Sequence, residues 1–142
     1  MKVAFYTSTH HSLSGIYNIL VRWWTQSPYS HCELVFSNGE SASASFLDGG
    51  VRFKTIIFDT DKWVFLDLGD DPELERKARN WFEDHEGEKY SVRGNLRFLF
   101  GFIKVSAKKK FCSQSVAEAL GVPEGDRYYP GILAGTIKWG TR

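Results

Sequence analysis

Residues 31–58 read HCELVFSNGESASASFLDGGVRFKTIIF. In HCELVF and ESASASF successive side chains alternate across a strand, and Ser37-Asn38-Gly39 between them has hairpin-turn chemistry. Asp48-Gly49-Gly50 turns the chain again into VRFKT, where Val51, Phe53 and Thr55 alternate with Arg52 and Lys54. With KWVFLDL at 62–68, residues 31–68 predict an antiparallel meander of about four strands.

Working outward, KVAFYT at 2–7 predicts a strand. GIYNILVRWWTQ places Ile16, Ile19, Leu20, Trp23 and Trp24 at helical spacing, ending before Ser27-Pro28. Downstream, Asp71-Pro72-Glu73 predicts a capped helix start, with Leu74, Ala78, Trp81 and Phe82 on its apolar face and Gly87 at its end. A short buried helix is expected over 96–103 and another over 112–120, stopped by Gly121 and Pro123. The tail from Pro130 fits either a last helix or an extended segment. The expected class is α+β, an antiparallel sheet packed against helices in a single domain over 1–142.

The chain has 142 residues, 42% hydrophobic and 15% aromatic, with a net charge of +1. That balance excludes a disordered chain and gives no global field for nucleic acid. Residues 101–142 nevertheless carry a balance of +4, through Lys104, Lys108, Lys109 and Lys110. This run suits a weak contact with an anionic surface rather than a main nucleic-acid partner. No apolar run is long enough for a membrane span and the N-terminus lacks signal-peptide pattern, so a cytoplasmic protein is expected. Two cysteines are too few for a disulfide scaffold or an all-cysteine metal site. His10 and His11 are adjacent, so strand alternation would separate their rings. No phosphate loop or dinucleotide fingerprint occurs, and no cofactor or metal is implied.

The candidate nucleophile is Cys112, at the start of a predicted helix whose N-terminal amides favour a thiolate. The residues alone leave open a buried, inert cysteine. The candidate base is His31, opening the first strand of the meander. Alternation places Glu33 on the His31 face and sends Cys32 to the opposite face with Leu34. On that reading Cys32 points away from the Cys112 helix, and the two thiols stay free and unequal.

The segments SPYSHCELVF, SNGE, SASASFLDGGVRF, EGEKYSVRGNLRF and KKKFCSQSVAEALG follow one another in the chain. Together they resemble the circularly permuted papain-like fold: YiiX-like proteins related to NlpC-type cell-wall peptidases and to lecithin retinol acyltransferase. The resemblance covers about residues 1–135 and implies a histidine strand preceding the cysteine helix. It implies a thiol hydrolase (peptidase or amidase) or acyltransferase that cleaves an amide or ester through a thioester. The substrate would be a small molecule, peptide or lipid carrying such a bond. Cys112 matches the nucleophile and His31 the base, and Tyr90 is similar to a tyrosine near the oxyanion. Two departures are Gln114, where the motif has glutamate, and Cys32, where a small apolar residue is usual. The orienting group stays open between Ser43, by counting across the turn, and Glu33; Glu40 is less well placed. Cys112 and His31 are expected within roughly 3–5 Å, with Trp23 and Trp24 flanking the site or the core beside it. The competing readings are a non-catalytic binding module on the same fold and an interaction domain that uses the basic patch.

Overall fold

A computed structural model describes residues 1–8, 27–91 and 109–140. The chain runs β1 (Lys2–Tyr6), β2 (His31–Val35), β3 (Glu40–Ser45), β4 (Gly50–Thr55), β5 (Trp63–Asp67) and α1 (Pro72–His85). It continues through β6 (Lys89–Tyr90), β7 (Lys109–Lys110), α2 (Cys112–Ala119), a 3-10 turn (Gly125–Arg127) and α3 (Pro130–Gly140). Among the described residues this is an α+β fold with one sheet, in the order β5-β1-β2-β3-β4-β6-β7. Neighbouring strands are antiparallel except β6 and β7, which are parallel. The helices expected over 16–24 and 96–103, together with His10, His11, Lys104 and Lys108, lie outside the described residues.

The local signals act where their chemistry says they should. At the β2–β3 turn, the Phe36 amide donates to Glu40 and the Gly39 amide to Phe36, with Gly39 at φ 86°. The Asp71 carboxylate accepts from the Glu73 and Leu74 amides, both at 3.0 Å, and Pro72 opens α1. Such a cap contributes about 0.5–2 kcal/mol. The tail from Pro130 is helical, which settles the choice between helix and extended chain.

The expected four-strand meander holds only for β2, β3 and β4. β5 crosses to the far side of the sheet and pairs with β1, from Lys2 opposite Asp67 to Tyr6 opposite Trp63. Burial explains the placement. Val3, Ala4, Phe5 and Tyr6 are all buried, so β1 is an interior strand whose backbone needs partners on both sides. β5 has no buried residue and suits an edge. The outer side of β4 is taken by β6, with Gly50 opposite Lys89. A β-carbon at Gly50 would collide with the Glu88 carbonyl, so only glycine lets the two backbones close there.

The register divides the sheet by face. Val3, Phe5, Cys32, Leu34, Ala42, Ala44 and Val51 lie on one side. They share the core with Ala78 and Phe82 of α1, Cys112 and Val116 of α2, and Leu133 of α3. Tyr6, His31, Glu33, Ser43, Arg52 and Trp63 project from the other side.

Candidate active site

Cys112 is the first residue of α2, behind an extended Phe111 that offers no side-chain oxygen as a cap. The amides of that first turn carry the positive end of the helix. The turn is pinned to the sheet by Ser115, whose hydroxyl donates to the Cys112 carbonyl at 2.8 Å and accepts from the Ala44 amide at 3.1 Å. Ser113 Oγ ties the next residue to the Tyr128 carbonyl at 2.6 Å.

β2 and β3 pair through Leu34–Ala42 and Val35–Ser41, and the ladder stops there. Beyond it, Ser43 Oγ replaces a backbone donor and gives its proton to the Cys32 carbonyl at 2.7 Å. The Ala44 amide has gone to Ser115. The start of α2 therefore wedges into an opening between two strands. This lets His31 and Cys32, which alternate to opposite faces, both reach one sulfur. The Cys32 thiol and backbone amide and the His31 ring all lie close enough to the Cys112 sulfur to favour its charged form.

The expectation that Cys32 points away from the Cys112 helix is thus corrected. Strand alternation is obeyed, but α2 packs on the Cys32 face and His31 reaches the sulfur from the strand's end. Both cysteines are free. Their characters differ. The Cys32 hydrogen bond, opposed by burial and helped by His31, holds the Cys112 thiol well below its ordinary range. Burial, then the Cys112 and Glu33 charges, push Cys32 well above its own, so it remains a donor. Replacing Cys32 by alanine should raise the pH midpoint of Cys112 alkylation by about one unit, the loss of one hydrogen bond to a charged group. A pH series of iodoacetamide alkylation followed by mass spectrometry checks this; an unmoved midpoint would show that the Cys32 thiol does not support the thiolate.

His31 Nε2 lies 2.7 Å from Glu33 Oε1. That commits Nε2 to the carboxylate, so any bond from the ring to Cys112 falls to Nδ1. Burial works against a charged ring, but Cys112 and then Glu33 outweigh it and lift the His31 pKa to about 10. Solvent reaches the imidazole, whose side chain is 24% exposed, far more than the sulfur of Cys112, whose residue is 3% exposed. Trp63 meets the His31 ring edge-on with centroids 6.3 Å apart.

The geometry decides between the two orienting candidates. Glu33 contacts His31, whereas the Ser43 hydroxyl is spent on the carbonyls of Cys32 and Ala44. Ser43 is corrected from an orienter of His31 to a brace for the open ladder, because its register opposite Arg52 aims it at the β2 backbone. Glu40, also weighed, binds Arg79 at 2.9 Å instead. Tyr90 pairs with Lys110 on the strand that leads into Cys112, and its ring meets Phe46 edge-on at 5.8 Å. Gln114, the residue departing from the motif, donates to Glu118 at 2.8 Å.

Arg52 was missed. Its guanidinium grips Glu33 with two hydrogen bonds, of 2.7 and 2.6 Å, and Asp48 holds it from behind at 2.9 Å. The signal was the alternation of VRFKT, which sets Arg52 two strands from Glu33 on one face. Ser115 sat in the quoted CSQS run without a role. Lys110, counted with the basic run, is buried and paired with Glu118 at 2.7 Å, so it is not part of a charged surface. Trp23 and Trp24, expected beside the site, lie outside the described residues. Among those residues, no group of three or more His, Cys, Asp or Glu side chains is placed to hold a metal, and no helix is long and apolar enough to cross a membrane.

No protein-family model matches the chain, and no curated protein does either.

Proposed function

We propose that the protein is a cysteine-dependent hydrolase or acyltransferase that cleaves an amide or ester through a thioester. The observation that carries this reading is a cysteine opening a helix beside a histidine whose Nε2 is held by a buried carboxylate, a setting that lowers the thiol's pKa. Thiolate, imidazolium and carboxylate in that sequence are what a nucleophile, its proton carrier and an orienting group require. The histidine strand preceding the cysteine helix agrees with the permuted papain-like arrangement that the motifs resemble.

In this reading the Cys112 sulfur attacks the carbonyl carbon, forming a C–S bond and pushing the π electrons onto oxygen. Amides of the first turn of α2 stabilise that oxyanion, and the resemblance adds Tyr90 near it. The tetrahedral adduct collapses, breaking the bond to nitrogen or oxygen, while His31 Nδ1 gives its proton to the leaving group. Water or an acceptor amine then attacks the thioester and loses a proton to His31. The C–S bond breaks and the thiolate–imidazolium pair returns.

The test is to trap the thioester. Activated acyl esters differing in their acyl group should acylate Cys112, with the added mass located by peptide mapping, and His31→Ala should slow both its formation and its release. Covalent labelling of Cys112 at the rate of a free thiol, unchanged by His31→Ala, would instead favour a binding module on this fold.

A further inference from the structure

Arg52 lies on β4, two strands from His31, and has no direct contact with either reacting side chain among the described interactions. Its two hydrogen bonds fall on both oxygens of Glu33, one of them the same Oε1 that holds His31 Nε2. Glu33 is 1% exposed, so water does not supply that anchoring. Arg52 is itself fixed, with a side chain 13% exposed and Nε bound to Asp48 Oδ2, while Asp48 Oδ1 accepts from Lys54. A chain of charge-assisted bonds thus runs His31–Glu33–Arg52–Asp48–Lys54 along one face of the sheet, from the base to its solvent-exposed end.

We propose that Arg52 is a positioning residue for the cysteine chemistry, clamping the Glu33 carboxylate in the rotamer that holds His31 Nε2 and keeping that carboxylate ionised. The clamp rests on the functional reading above for its purpose, but its geometry does not. A planar fork is needed because two parallel donors fix a carboxylate's rotation, whereas one ammonium leaves it free to turn. If the carboxylate turned, Nε2 would lose its acceptor and the imidazole could swing Nδ1 away from Cys112. The groups facing Glu33 are His31 on its own strand, Ala4 and Tyr6 from β1, Ser43 from β3 and Arg52 from β4. Arg52 is therefore the permanent cation among them. Hydrogen bonds from Arg52 and His31 outweigh burial and hold the carboxyl below its ordinary range.

The experiment uses Arg52→Met and Arg52→Lys in the full chain. NMR follows the Glu33 carboxyl carbon and the His31 Nε2 proton across pH, and Cys112 alkylation is measured in parallel. In the unaltered protein the Nε2 proton should exchange slowly down to a pH below the ordinary glutamate value. In Arg52→Met the Glu33 midpoint should rise by at least one unit and the slowly exchanging proton should vanish at the same pH. Alkylation of Cys112 at pH 6 should fall at least threefold, and Arg52→Lys should recover part of each effect. An unmoved Glu33 midpoint and an unchanged Nε2 proton would overturn the proposal, even if Arg52→Met lowered Tm. The two readings fail separately. A slow, ordinary Cys112 in the unaltered protein would remove the cysteine chemistry, while the NMR titration would still decide whether Arg52 governs Glu33 and His31.

Discussion

Alanine at His31 should abolish the reactivity of Cys112 at acidic pH. An ordinary thiol has a pKa near 8.5 and is only about 0.3% thiolate at pH 6. The lowered pKa of Cys112 raises the thiolate share there, although a less basic sulfur is also intrinsically less nucleophilic. The net expectation is alkylation about tenfold faster than a free thiol at pH 6. Without the imidazolium, Cys32 alone opposes the burial of that charge, and the thiol pKa moves back up. The variant should then react at least tenfold more slowly than the unaltered protein, and turnover of an acyl substrate should fall by about 10²–10⁴. Stopped-flow alkylation at pH 6 checks the first number and acyl-probe kinetics the second. The sign of the pH effect follows from the raised His31 pKa. The imidazolium's contribution is fully present below the ordinary value of 6.5, while its anionic partners stay ionised, and is lost as pH rises through about 10. Proton donation to the leaving group should fail over the same upper window.

The largest effect on stability is expected at Glu33. Alanine there would leave the Arg52 guanidinium poorly hydrated, with Asp48 as its remaining carboxylate, and remove the acceptor of His31. Breaking one partner out of a buried ion pair costs about 3–5 kcal/mol, against a total of about 5–15 kcal/mol for a domain. Urea unfolding at pH 7 should show that loss. Glutamine, which keeps the shape and one acceptor oxygen, should lose less and remain folded enough for kinetics. Glu33 has a folded pKa below its ordinary 4.5, so its contribution is present above that value and disappears as pH falls through the lowered one. The gap between Glu33→Ala and the unaltered protein should accordingly shrink in acid. A constant gap down to pH 2 would mean that the loss comes from packing and not from charge.

Much of this arrangement is local and was legible in the sequence. Two-residue alternation set His31 with Glu33 on one face and Cys32 with Leu34 on the other, and the register keeps both assignments. Asp71 and Pro72 marked the start of α1 because a cap is made within four residues. Cys112 was placed at a helix start because the run CSQSVAEAL and its stop at Gly121 and Pro123 are likewise local, although Phe111 supplies no side-chain cap. Tertiary structure decided what depends on partners distant in the chain. Alternation says which face a residue takes, but not which strand will lie beside it, so the move of β5 to β1 was invisible. Nor does it say which face a helix will cover, and the Cys32 expectation failed on that point. The open end of the β2–β3 ladder arises only when Ser115 captures the Ala44 amide, 71 residues away, and Ser43 takes the freed Cys32 carbonyl. Arg52 reaches Glu33 across 19 residues through strand register alone. Short-range periodicity therefore determined the elements and nominated the nucleophile and base. Long-range hydrogen bonding chose the sulfur's neighbours and the arginine that grips the Glu33 carboxylate.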